Sequence, residues 1–326
     1  MSGDLRVGGR WTAAQAFKNF WIALVVRAAF CFADRLPEPV LLRAGRMLGR
    51  IAARWLRGAQ RAALRRASAC LPGEEASRVS MRCFECAGEN LARSVLLRRP
   101  AFRAASQVGV SAASRAALER ALARGRGVVF VSAHLGPFEL VAARVAEMVD
   151  AAAIVVRESY DPALDRWVDA HRESRGLEVI HRGAAGAALR IVRALRRGRP
   201  VGFLPDLGGR VSTRNVEFLG RTVAFPDGPQ KIAHRAHAPI VIGTLTRRSS
   251  ERRSVFELEM EELEANPSEK TIDELTQRVA FALARAILKS PEDWLWMAGP
   301  LGEKIGQVDY GKPMLAERLL IEAENG

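Results

Sequence analysis

The chain has 326 residues, 48% of them hydrophobic, which suffices for one large domain or two small ones. Its four cysteines are Cys31, Cys70, Cys83 and Cys86, and the Cys83-x-x-Cys86 pair has no second Cys or His pair at zinc spacing, so these are two helical thiols of a reducing compartment. The net charge of +14 is lopsided: residues 1–126 carry +15 and residues 127–326 carry −1. A basic first third attracts anionic partners, whether lipid headgroups, nucleic acid or acidic proteins.

In chain order, the segment "FKNFWIALVVRAAFCFADRLP" comes first. Its longest uncharged apolar run, Phe20 to Val26, is too short to span a bilayer, and Arg27 breaks the longer stretch to Ala33. The same arginine, with no convincing cleavage site after it, argues against a signal peptide. Trp21, Leu24, Val25, Ala28 and Phe32 fall on one helical face. Such a face either lies in the headgroup region of a membrane or packs on the protein's own core. The following "LLRAGRMLGRIAARWLRGAQRAALRRA" is helical and Arg-rich, which favours the membrane surface.

Residues 12–98 read as helices, broken at "LPEP" (36–39) and "LPGEE" (71–75). After residue 126 the texture changes. Strands are predicted at 127–133, 152–157, 177–182, 200–206, 216–225, 239–247 and 254–261, with helices at 137–148, 161–175, 185–197, 227–237 and 269–289. Alternation of this kind predicts an α/β fold: a mostly parallel or mixed central sheet with helices on both faces. The expected division is a basic helical membrane-associating region over 1–100 and an α/β domain over 101–326.

The stretch "VSAHLGPFEL" (131–140) carries the candidate chemistry. His134 directly follows a β-branched run, so it emerges at the carboxyl end of a strand, where ligands bind in open α/β sheets. Gly136 permits a tight turn, Pro137 suits the first helical position, and Glu139 falls in the first turn. Residues five apart on a continuous helix do not face each other. His134 and Glu139 therefore pair only if the histidine precedes the helix on a turn, which Gly136-Pro137 supplies. Glu139 could then fix the tautomer while the other ring nitrogen acts as a base, with a substrate hydroxyl as nucleophile. A His-x4-acid match is a weak motif, and a structural turn histidine has the same spacing.

That stretch resembles the His-x4-acid block of the lysophospholipid acyltransferase superfamily. It is most similar to the late, lauroyl/myristoyl-type acyltransferases of lipid A biosynthesis. The likeness extends through "RWVDAHRESRGLEVIHRG", "ALRRGRPVGFLPDLGG", "VEFLGRTVAFPDGPQKIAHRAHAPIVI" and the tryptophan-rich "SPEDWLWMAGP". The resemblance implies that His134 deprotonates an acceptor hydroxyl and that Glu139 orients it. It further implies that Arg172 or Arg175, and Asp206, contact substrate. Trp294 and Trp296 are read as structural. Two departures bear on the acceptor: Pro137-Phe138 replaces the family's usual Asn-Trp, and Met297-Ala298-Gly299-Pro300 replaces its basic tail.

The implied reaction is acyl transfer from a thioester of acyl carrier protein or CoA to a hydroxyl of a lipid, a lipid A precursor or a similar glycolipid. It calls for no cofactor and no metal. The implied location is the cytoplasmic face of the inner membrane, on an anionic lipid surface. Competing readings are less well supported. No Gly-x-Ser-x-Gly elbow marks a serine hydrolase. "GAAGAALR" (183–190) is neither a dinucleotide fingerprint nor a Walker A loop. A nonenzymatic membrane- or nucleic-acid-binding protein remains the alternative, although helical arginines with little aromatic interleaving do not suggest nucleic acid.

Overall fold

Strand residues alternate between the two faces of a sheet, and here both faces are apolar. Val129, Val131, Ala153, Ile180, Val201, Ile240 and Ile242 fill one core. Their neighbours Val128, Phe130, Ala152, Ile154, Val179 and Val241 fill the other. Strands buried on both sides need helices on both sides, which is the architecture of the computed structural model. It describes residues 30–149, 151–157, 162–208, 211–248, 255–263 and 272–298.

After helical residues 30–33 come three helices: α1 (Glu38–Trp55), α2 (Arg57–Ala67) and α3 (Gly73–Leu96). The α/β part runs β1 (Val108–Gly109), α4 (Ala112–Ala123), β2 (Val128–Val131), α5 (Phe138–Ala146), β3 (Ala152–Val156), α6 (Pro162–Glu173), β4 (Leu177–His181), α7 (Ala187–Arg196) and β5 (Pro200–Phe203). It continues with β6 (Thr213–Phe218), β7 (Arg221–Pro226), α8 (Gly228–Ala236), β8 (Ile240–Arg247), β9 (Phe256–Leu263) and α9 (Ile272–Lys289). The seven-stranded sheet has the order β1-β9-β8-β2-β5-β3-β4. From β8 to β4 every neighbouring pair is parallel, while β9 runs antiparallel to β8 and carries β1 parallel to itself. The predicted α/β class is the observed one.

The structure departs from the expected elements in several places. The single strand expected over 216–225 is a hairpin, β6–β7, which among the described residues pairs only with itself. Leu219 and Gly220 both have positive φ at its turn, a conformation that reverses the chain. Helix α4 was not anticipated, although Ser111 caps it by accepting from the Ser114 N–H and Gly125 at φ 68° follows its end. The continuous helix expected after Pro39 breaks at Leu56. Of the expected apolar face, Trp21, Leu24, Val25 and Ala28 lie outside the described residues, and Phe32 is exposed. Among the described residues, no helix is long and apolar enough to cross a membrane.

The N-terminal helices are packed into the same core as the sheet. Ala53, Ala63, Ala67, Leu71, Ala76, Val79, Cys83 and Phe84 are buried with the first set of strand residues. Helices α1 and α3 meet through glycines: a Cβ on Gly45 would lie 2.5 Å from the Gly88 carbonyl oxygen, and one on Gly49 would lie 2.1 Å from that of Phe84. Close backbone approach of this kind requires glycine. Cys83 and Cys86 are buried, and burial pushes both thiols up to about 12, so neither is an available thiolate at neutral pH.

Candidate active site

Strands β2 and β5 are parallel neighbours at the centre of the sheet, with Val131 opposite Phe203. Three residues beyond Val131 is His134, and three beyond Phe203 is Asp206. The Ser132 N–H still donates to the Phe203 carbonyl at 2.9 Å, so both chains leave the sheet side by side. Registered strands thus deliver an imidazole and a carboxylate to one point at their carboxyl ends.

The two side chains are bonded. His134 Nδ1 lies 2.8 Å from Asp206 Oδ1, and the His134 backbone N–H donates to Asp206 Oδ2 at 2.8 Å. A third donor, the Trp294 indole Nε1–H, meets the same Oδ2 at 2.8 Å. Asp206 is fully buried, whereas the His134 side chain keeps 23% of its surface exposed. An ionised carboxylate only accepts hydrogen bonds, so Nδ1 carries the proton and neutral His134 keeps its lone pair on Nε2. Among the described residues Nε2 has no hydrogen-bond partner. The Phe138 ring stands edge-on to the imidazole at 4.9 Å and walls it on one side.

The expectation that Glu139 holds His134 is corrected here. Gly136, at φ 63°, does make the turn, and Glu139 does stand in the first turn of α5. The helix starts one residue later than expected, with Pro137 as the N-cap. Arg172 of α6 takes the Glu139 carboxylate instead, through Nη2 at 2.5 Å and Nε at 3.2 Å. Arg172 also lies 3.9 Å from Asp169, whose other oxygen meets His181 Nε2 at 2.6 Å. Burial weakens the Arg172 cation, but Glu139 and Asp169 outweigh it and hold its pKa above the ordinary arginine value.

Asp206 and Arg175, the other expected substrate contacts, are both engaged by the protein's own groups. Asp206 spends both carboxylate oxygens on His134 and Trp294, which puts it behind the imidazole. Arg175 donates to the backbone carbonyls of Leu97, Arg99 and Phe102, tying the end of α3 to α6. Nearby His171 is partly buried among arginines. Burial first, then Arg175 and Arg98, push it down to about 4, so it is neutral at physiological pH. Trp294, expected to be structural, also donates its indole N–H to Asp206. The signal available was only its polar N–H, which a buried tryptophan must satisfy.

Among the described residues no group of three or more His, Cys, Asp or Glu side chains could hold a metal ion. Among the described residues His134 bonds no serine, threonine or cysteine. An imidazole held in one tautomer, with no such nucleophile beside it among the described residues, suits a transferase whose nucleophile arrives with the substrate. Residues 13–299 match the model of the bacterial lipid A biosynthesis acyltransferases, and the chain belongs to that family. It is therefore an acyltransferase that moves an acyl group from a donor to a lipid acceptor. No curated protein matches the chain.

Proposed function

We propose that the protein transfers a fatty acyl chain from a thioester of acyl carrier protein or CoA to a hydroxyl of a lipid A precursor or a closely similar glycolipid, with His134 as general base. The observation that carries this reading is the His134–Asp206 bond at the ends of β2 and β5, which leaves Nε2 open. The acceptor O–H gives its proton to Nε2 as its oxygen attacks the thioester carbonyl. The imidazolium so formed faces the buried Asp206 carboxylate, which stabilises it without taking the proton. Collapse of the tetrahedral intermediate breaks the C–S bond. The thiolate leaves and the proton on His134 returns to it, which restores the neutral base. Glu139 and Arg172 hold α5 against α6 beside this centre and serve as positioning residues.

In this reading residues 1–100 dock the protein on the cytoplasmic face of the inner membrane and residues 101–326 carry the chemistry. Helix α1 supports the docking. Its inner stripe, Leu41, Gly45, Gly49 and Ala53, is buried. A second apolar stripe, Val40, Met47, Leu48, Ile51 and Trp55, is exposed, with Trp55 82% accessible, and Leu56 extends it. Arg43, Arg50, Arg54, Arg57 and Arg61 are exposed on and after the same helix. An apolar stripe flanked by arginines is the composition of a helix lying in an anionic lipid surface.

The test is acyl transfer by the purified protein, with fatty acyl-CoA and fatty acyl carrier protein as donors and a panel of lipid A precursors and other glycolipids as acceptors. The expected result is an acylated glycolipid that His134→Ala no longer makes while keeping its fold. Product that persists in the folded alanine variant would overturn the assignment of the base.

A further inference from the structure

We infer that Trp294, with the backbone of Asp293, is a positioning residue of the reaction: it clamps both halves of the His134–Asp206 pair. The inference rests on the reading of that pair given above.

The segment Asp293–Trp294 touches each half of the pair separately. Toward the histidine, the Asp293 carbonyl accepts from the Gly136 N–H at 2.9 Å, and Trp294 forms an antiparallel bridge with Leu135. These contacts fix the turn that carries His134. Toward the carboxylate, the Trp294 indole N–H donates to Asp206 Oδ2 at 2.8 Å. That oxygen also receives the His134 backbone N–H, so Oδ1 is held toward Nδ1. Among the described residues no lysine or arginine bonds Asp206, and its orientation there rests on these hydrogen-bond donors; a carboxylate behind a working imidazole needs a fixed orientation.

The clamp is itself immobilised. Trp294 is fully buried, with Trp296 edge-on at 4.8 Å and Phe218 at 6.1 Å. The Asp293 side chain is gripped by Arg247 through Nε at 3.1 Å and Nη2 at 2.8 Å. Arg247 in turn stands over the Phe256 ring at 4.8 Å and reaches Glu89 at 3.5 Å. Helix α3 and strand β8 thus hold Asp293, the residue beside the indole. A tryptophan serving only as core filler would need any acceptor for that N–H, as Trp296 does with the Pro291 carbonyl.

Trp294→Phe keeps an aromatic ring and removes the donor. With one donor gone the Asp206 carboxylate turns away from Nδ1 part of the time. The expected result is that the His134 Nδ1–H proton resonance, read in protein with 15N-labelled histidine, moves upfield and exchanges faster with water. In the acyl-CoA assay kcat falls about tenfold or more with KM within about twofold, the loss expected of one hydrogen bond to a charged group. Trp296→Phe, which removes equal ring bulk but not this donor, lowers stability and leaves the resonance in place. A His134 resonance unmoved in folded Trp294→Phe, or a kcat within about twofold of the parent, overturns the proposal. If Trp294→Phe does not fold, the unaltered protein with 15N-labelled tryptophan answers the same question. The Trp294 indole resonance is expected to shift in step with the His134 imidazole as that ring is protonated, and an indole indifferent to it overturns the proposal. The resonances need no substrate, so this clamp and the acyl-transfer reading can fail independently.

Discussion

Glu89 lies where three arginines converge, with Arg46 and Arg93 each at 2.6 Å and Arg247 at 3.5 Å. Burial alone would raise its pKa, but the three guanidinium groups outweigh burial and hold it at about 2. A carboxylate depressed on folding stabilises the fold above its unfolded value, near 4.5, and that stability is lost as pH falls toward 2. His171 acts in the same direction higher up: it is neutral when folded, down to about 4, and gains a proton near 6.5 when unfolded. Acid should therefore destabilise the protein in two steps, first between about 6.5 and 4 and then between about 4.5 and 2. Glu89→Gln should shrink the second step, which Asp227 and Glu259 share, and cost about 3–5 kcal/mol at neutral pH, because it leaves the buried Arg93 without its carboxylate. Denaturant titrations across this pH range check both statements. At the same scale, the site was half legible. His134 was found because a histidine after a buried strand and before a helix is a local pattern. Its true partner lies 72 residues away. Only the pairing of β2 with β5 brings Asp206 to it, and pairing is not written in local spacing. Glu139, at the attractive spacing, is drawn off by Arg172.

The elements themselves were largely readable, because buried parallel strands are short apolar runs and the helices between them are periodic. What failed was instructive. The hairpin β6–β7 hides its turn in Leu219-Gly220, inside a run that looks continuous. Strand β1 has only two residues and owes its existence to β9, so nothing local marks it. The glycines of α1 and α3 were legible only as helix weakeners, yet they set how closely the two helices approach. Gly49→Ala should accordingly force α1 away from α3 and cost about 2 kcal/mol or more, although alanine is the better helix former. Thermal or denaturant unfolding reads this directly. Gly58→Ala, where a Cβ meets nothing within 4 Å, is the control and should be neutral or slightly stabilising.

For the whole molecule, the charge asymmetry of +15 against −1 was plain in the sequence, but where those charges stand was not. The structure shows helix α1 presenting one apolar stripe to the core and a second, with exposed arginines, outward. If that face meets lipid, Leu48→Glu with Trp55→Glu should weaken binding to vesicles containing anionic phospholipid by about tenfold or more while leaving the fold unchanged, since two apolar groups are lost from the interface. Vesicle co-sedimentation measures it, and the residual binding should fall as salt rises. The most direct measurement on the chemistry is a side-by-side comparison of kcat for folded His134→Ala, Asp206→Ala and Glu139→Ala in the glycolipid acylation assay. Loss of product in the first, a fall of about 10³-fold or more in the second and a smaller fall in the third is the expected order. Glu139→Ala falling as far as His134→Ala while Asp206→Ala retains near-parental turnover would contradict it.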